Sequence, residues 1–84
     1  MIGALWKSQA DVCFGKGEKT KAIDLYNKVL LLDSSFVSAW SNRGAVHLTM
    51  GNDEGCIADC TITLSLLQVE TPFSELTIIY NFLM

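Results

Sequence analysis

Apolar side chains recur at helical spacing along the chain, in segments that short polar breaks separate. Residues three and four positions apart share one face of a helix, so this spacing is typical of helices that bury one side. Gly, Asn, Asp and Ser supply the breaks, and these residues commonly interrupt helices. The pattern predicts helices over 3–16, 19–32, 37–50 and 53–67, and Ser35 or Ser38 is expected to cap the third of them. The apolar positions are Leu5, Trp6, Val12, Cys13, Phe14, Ala22, Ile23, Tyr26, Val29, Leu30, Ala39, Trp40, Val46, Leu48, Cys56, Ile57, Cys60, Leu64 and Leu67.

A fifth helix is predicted over 72–83, because Thr71 and Pro72 form a common helix start. This segment is apolar nearly all round, and Glu75 is its only charged residue. The terminal helix of a solenoid ordinarily has a polar outer face. Residues 73–84 are therefore expected either to begin a divergent third repeat or to pack on another chain, and a fragment or short isoform of a longer protein fits equally well.

The chain repeats itself with a period of 34 residues. Shifting the first unit by that distance onto the second aligns six identical pairs, spread over the whole unit: Trp6 with Trp40, Val12 with Val46, Gly17 with Gly51, Ile23 with Ile57, Leu30 with Leu64 and Leu32 with Leu66. A fixed period of this length is typical of stacked structural repeats. The sequence therefore predicts one unit over 3–36, a second over 37–70 and a terminal helix over 71–84.

The unit resembles the tetratricopeptide repeat (TPR), a helix–turn–helix of 34 residues. The first unit matches its pattern at Trp6, Gly17, Ala22-Ile23 and Tyr26, and departs from it at Cys13, where Tyr is usual. The second unit has His47 at that Tyr position, and it matches at Trp40, Gly44, Gly51, Ile57 and Leu64. The resemblance implies an all-α, TPR-like helix-turn-helix solenoid of two repeats plus a C-terminal apolar helix. Trp6 and Trp40 are expected to pack between the helices of their units.

The second unit also resembles the TPR domains of co-chaperones, in its runs over 40–44 and 56–61. That resemblance implies a partner: the acidic C-terminal tail of a cytosolic heat-shock chaperone, held by two Lys, two Asn and an Arg. Lys7 corresponds to the first Lys and Asn42 to the second Asn, but Asp11 stands where the first Asn is usual. An ionised Asp cannot donate to a carboxylate and repels it. The remaining Lys and Arg would come from a third repeat, and residues 71–84 contain neither.

The first helix of each unit is expected to line the concave face of the stack, where repeat proteins bind peptides. The predicted function is capture of a peptide or partner helix in this groove, and simple solvated surface is the alternative for these side chains. A different class of function is a structural or oligomerisation module that docks or self-associates through residues 73–84. The predicted groove, called the concave face below, consists of Lys7, Asp11, Phe14, Ser38, Asn42, Ala45, Leu48 and Thr49.

Composition narrows the choice of partners. The chain has 84 residues, a net charge of -3, 50% hydrophobic residues and a mean hydropathy of +0.32. This composition is too apolar for a disordered chain, and it indicates that part of the surface packs against a partner. Nucleic acid is excluded as a partner because the sequence contains no stripe of basic residues. A membrane-spanning segment is excluded because no uncharged apolar stretch is long enough. Three cysteines cannot all pair within the chain, which favours a reducing compartment and hence a cytoplasmic protein.

No pattern of catalytic residues is present, so no enzyme and no cofactor are predicted. His47 is the only histidine, and no oxyanion-hole motif stands beside it. Cys56 and Cys60, with Asp59 and His47 as further ligands, make a poor metal site because zinc sites pair their ligands at tighter spacing. Buried thiols are the preferred interpretation of both cysteines.

Overall fold

The computed structural model describes residues 2–67 and Leu83, and the described part of the chain is built from helices joined by short turns. The helices are α1 (Ile2–Gly15), α2 (Lys19–Leu32), α3 (Val37–Thr49) and α4 (Asp53–Leu66). The prediction of an all-α helix-turn-helix fold is confirmed, with helix ends within one residue of those expected. Apart from Leu83, the predicted fifth helix over 72–83 and the self-association surface over 73–84 lie outside the described residues.

Each helical hairpin closes on a glycine with positive φ, 80° at Gly17 and 77° at Gly51. The backbone N–H of the next residue then reaches back across the end of the helix, from Glu18 to the Cys13 carbonyl over 2.9 Å and from Asn52 to the His47 carbonyl over 2.8 Å. This is the hydrogen-bonding pattern of a helix that ends at a left-handed residue. The turn is therefore built in the same way in both units, as the alignment of the two glycines predicts.

Replacing Gly17 with alanine is expected to lower the free energy of unfolding by about 1 kcal/mol, because a Cβ disfavours the left-handed backbone. No neighbouring atom lies within 4 Å of the added carbon, so packing contributes nothing to this loss. Gly15 is the matched control, since it is helical and equally open. Gly15→Ala should instead gain a few tenths to about 1 kcal/mol. Urea unfolding of both variants checks this, and equal effects at the two positions would refute it.

The N-terminal cap of α3 differs from the one predicted from the sequence. Neither Ser35 nor Ser38 caps α3, so that prediction is wrong: its N-cap is Phe36, which offers no side-chain acceptor. The Asp33 carboxylate instead accepts bonds from the N–H and hydroxyl of Ser35, at 3.0 and 2.5 Å. Asp33 and Ser35 thus hydrogen-bond to each other within the loop between the two units, a common alternative to capping.

The core lies where α2 passes between α1 and α3, since α2 packs against both of them. Tyr26 and Val29 of α2 are its largest fully buried apolar residues besides Val46 of α3. Trp6 and Trp40 are half-buried and pack against this cluster. The buried members are Ala10, Ala22, Tyr26, Val29, Leu30, Ala39 and Val46.

The free side of α1 is apolar and open in the described part of the chain. Leu5 and Val12 are 57% and 55% exposed, whereas Ala39 and Val46, which stand 34 residues later, are fully buried in the core. The same repeat position is therefore covered in the second unit and open in the first. This accounts for part of the surplus hydrophobicity of the sequence. Within residues 2–67, no helix combines the length and the apolar character needed to cross a membrane.

Candidate functional site

The first helices of the two units, α1 and α3, contact each other at residues predicted to line the groove. Lys7 and Asp11 lie one turn apart on α1, and Asn42 lies on α3. The Asn42 amide donates to Oδ1 of Asp11 over 3.0 Å, a hydrogen bond that joins the two helices directly. Side chains of successive repeats thus form one continuous polar surface at this point.

Asp11 is the centre of a hydrogen-bonded group to which three helices contribute. Its Oδ2 lies 2.7 Å from the Lys7 ammonium nitrogen, a pair spaced by four residues on α1. Its Oδ1 accepts from Asn42 of α3 and from the Tyr26 hydroxyl of α2. We call these four residues, Lys7, Asp11, Tyr26 and Asn42, the Asp11 cluster. Every donor in it points at one carboxylate that the chain itself supplies.

The electrostatics of the Asp11 cluster keep Asp11 ionised and Tyr26 protonated. Partial burial raises the pKa of Asp11, but hydrogen bonds from Lys7, Tyr26 and Asn42 together hold this pKa below its ordinary value of 3.8. The stability that Asp11 contributes is therefore present above its ordinary pKa and is lost as the pH falls through the lower, folded-state value. Burial, then the hydrogen bond to Asp11, raises the pKa of Tyr26, so its hydroxyl remains a donor.

The other predicted members of the concave face have mixed surroundings. Phe14 is half-buried and packs against the core cluster. Ser38 and Leu48 are half-buried, and Ala45 is exposed. The Thr49 hydroxyl donates to the Val46 carbonyl over 2.8 Å. The structure thus brings Lys7, Asp11 and Asn42 into contact, and it leaves Ala45 open to solvent.

Tyr26 is the member of the Asp11 cluster that the sequence did not single out. The apolar pattern includes it only as a core position, and its side chain is indeed fully buried. A buried tyrosine hydroxyl usually has a hydrogen-bond partner. A tyrosine at a core position therefore indicates a polar side chain on a neighbouring helix, and here that side chain is Asp11. Its ring fills the core while its hydroxyl reaches the concave face.

A second polar network, which the sequence did not predict, links the two units through Arg43. The Arg43 guanidinium donates to both oxygens of Asp59, at 3.0 and 2.7 Å, and to Asn27 Oδ1 at 2.7 Å. Its carbon Cζ lies 4.8 Å from the ring centre of Trp40. The Asp59 side chain is only 3% exposed. Arg43 therefore connects α2, α3 and α4, and Asp59 is its partner rather than a ligand beside the cysteines.

The paired cysteines of α4 are free thiols, with Sγ atoms of Cys56 and Cys60 4.0 Å apart. Among residues 2–67, no three His, Cys, Asp or Glu side chains are grouped in a way that could hold a metal ion. Burial, and then the neighbouring Cys56, raises the pKa of Cys60 to about 11. Cys60 is consequently almost entirely thiol at neutral pH and a weak nucleophile.

Alkylation of Cys60 in the folded protein at pH 8 is expected to be about a hundredfold slower than that of an unperturbed cysteine, because the thiolate is the reactive form. Iodoacetamide labelling followed by mass spectrometry of the peptide checks this. The same reaction in urea is the control, since unfolding should restore the ordinary rate. Equal rates in the folded and unfolded chain would contradict the prediction.

Comparison with known proteins agrees with the geometry. A family profile described as TPR repeat matches residues 10–51, which is 42 of the 84 residues. The Hsp70-Hsp90 organizing protein 3 of Arabidopsis thaliana is 39% identical over 54 residues, covering 64% of this chain and 10% of the relative. The Hsp70-Hsp90 organizing protein 1 of Glycine max is 42% identical over 50 residues, covering 60% and 9%.

The Hsp70-Hsp90 organizing protein of Triticum aestivum is 37% identical over 54 residues, covering 64% of this chain and 9% of the relative. The chain thus spans about a tenth of the length of these relatives. The family match reaches from α1 to the turn after α3, where the repeat-defining glycines and the core lie. The chain belongs to the tetratricopeptide repeat (TPR) family of protein-interaction modules, and it is similar to the Hsp70-Hsp90 organizing proteins.

Proposed function

We propose that this chain is an adaptor that captures an extended peptide or a partner helix on its concave face. The observation that carries the proposal is the direct bond between Asn42 and Asp11, which sets α1 and α3 side by side. Repeat proteins bind along such surfaces, because adjacent helices present side chains at a fixed pitch. The Arg43–Asp59 network and the Tyr26 core support this surface from behind, so it is held rigid before a partner arrives.

The partner we propose is chaperone-associated. The support is similarity to proteins named for organizing Hsp70 and Hsp90, of which this chain spans a tenth. A cytoplasmic location forms part of the same proposal. The resemblance also implies the acidic C-terminal tail of a chaperone as the bound segment. Asp11 argues against an acidic tail as the bound segment. Its carboxylate already accepts from Lys7 and Asn42, two of the donors that would hold the tail.

A titration of the ¹⁵N-labelled chain with purified Hsp70, and separately with purified Hsp90, tests the proposal. Signals of α1 and α3 should weaken before those of α4. Ala45→Arg is expected to reduce affinity at least about tenfold, because Ala45 is exposed on the concave face and a long side chain there blocks access. Ala58→Arg is the matched control, since Ala58 is also exposed but lies on α4. Failure of both chaperones to bind, or an equal loss in the two variants, would refute the proposal.

The alternative function, a structural or oligomerisation module, depends on residues 73–84. Apart from Leu83, these residues lie outside the described part of the chain, so that function remains a prediction from the sequence. Sedimentation velocity of the chain over a wide concentration range checks it. A chain that remains monomeric at high concentration would contradict self-association.

A further inference from the structure

Three chemically different donors converge on one acceptor in the Asp11 cluster. The Lys7 ammonium holds one carboxylate oxygen, and the Asn42 amide and Tyr26 hydroxyl hold the other. An ammonium, an amide and a phenol arranged around a carboxylate form a built carboxylate-binding site. In this chain the carboxylate that fills the site is the side chain of Asp11, which belongs to the chain itself.

We propose that Asp11 determines the specificity of the concave face, by occupying this donor set and excluding the terminal carboxylate of a partner peptide. The inference rests on the proposed function and deepens it. The face then recognises an internal segment of a partner polypeptide, or a chain end without a free carboxylate. A neutral or donor-bearing side chain fits beside Asp11, whereas a second carboxylate does not.

The competition favours the internal carboxylate for two reasons. Lys7 and Asp11 stand four residues apart on one helix, so their pairing costs little entropy, whereas a free peptide must give up translational and rotational freedom to replace it. Asp11 also remains in the site, 36% exposed, when a ligand arrives. An incoming carboxylate therefore meets a like charge at close range and finds the Lys7 ammonium already paired with Asp11.

Asp11→Asn should convert the face into one that accepts a carboxylate. The amide oxygen of the new side chain can still accept from Tyr26, and Lys7 loses its ion-pair partner and becomes available to a ligand. Asp24→Asn is the matched control, because Asp24 is exposed on α2 and the change in net charge is the same. Asp11→Ser is a second neutral variant, used if Asp11→Asn does not fold by circular dichroism.

The experiment compares two forms of one uncharged synthetic peptide, built from Gly and Ser, with either a free carboxylate or an amide at the C-terminus. In calorimetric titration, the unmutated chain should bind the amide form at least as tightly as the free-carboxylate form, because Asp11 repels the free carboxylate. In Asp11→Asn the free-carboxylate form should bind about tenfold more tightly than the amide form, and Lys7→Ala added to that variant should abolish the difference. The Asp24→Asn variant should show no preference for the free-carboxylate form.

A tenfold preference for the free carboxylate in the unmutated chain would overturn the inference, as would a folded neutral variant without the preference. An equal gain in Asp24→Asn would overturn it too, since net charge alone would then explain the effect. The outcome is separable from the proposed function. If neither chaperone binds but Asp11→Asn gains the preference, the inference stands and the adaptor proposal fails. If a chaperone binds through Ala45 and no neutral variant gains the preference, the reverse holds.

Discussion

Replacing Arg43 with alanine is expected to lower the free energy of unfolding by about 3–5 kcal/mol, because the buried Asp59 carboxylate loses the guanidinium that binds both of its oxygens. The only neighbour that remains among its ion-pair contacts in the described residues is His47 Nε2, at 3.8 Å. Arg43 binds both oxygens of Asp59, and the two side chains are 20% and 3% exposed. The substitution also removes the bond to Asn27 and the stacking on Trp40. A domain of this size is stabilised by roughly 4–13 kcal/mol, so the loss is a large part of the total.

Two controls separate this effect from a general sensitivity to charge. Lys21→Ala breaks an exposed pair with Glu18, which solvent screens, and should change the free energy of unfolding far less. The double substitution Arg43→Met with Asp59→Leu should recover most of the stability, since no unpaired buried charge remains. Urea unfolding followed by circular dichroism measures all three. An Arg43→Ala variant as stable as Lys21→Ala would show that the buried pair contributes little.

Tyr26→Ala is expected to cost about 3–5 kcal/mol, through the cavity left by a large, fully buried side chain. Tyr26 lies at the centre of α2, the helix that packs against both α1 and α3. Its loss therefore loosens the contact between the two units as well as the first hairpin. Thermal and urea unfolding should both show the loss, with a lower transition midpoint.

Tyr26→Phe is the matched variant that removes only the hydroxyl. Its expected cost is smaller, about 1–2 kcal/mol, because one hydrogen bond to a charged acceptor is lost while the ring remains packed. The difference between the two variants separates packing from hydrogen bonding. Equal losses in Tyr26→Phe and Tyr26→Ala would contradict a packing role for the ring.

The helices and their order were predictable from the sequence because their signals are local. Helical apolar spacing locates each helix, and Gly17 and Gly51 adopt the positive φ that ends the first helix of each unit. The capping prediction failed because Ser35 had two possible partners. Its bonds to Asp33 are closed within the loop, and only the three-dimensional path of the chain decides between these alternatives.

The site was predictable only in part, since its contacts join distant segments. The Lys7–Asp11 pair follows from spacing on one helix, and the sequence already marks Asp11 as unfavourable to a bound carboxylate. The bonds from Asn42 and Tyr26 to Asp11 depend on how closely three helices approach. The same holds for Arg43 and Asp59, which are 16 residues apart and meet only through the packing of α3 on α4.

The most direct measurement is an NMR titration of the Asp11 side-chain carboxyl carbon in the intact chain. If Lys7, Tyr26 and Asn42 all donate to this carboxylate, its pKa lies below the ordinary value of 3.8, and Lys7→Ala or Asn42→Ala raises it toward that value. An Asp11 pKa at or above the ordinary value, unchanged in both variants, would mean that the donors of the concave face are free and that Asp11 does not occupy the site.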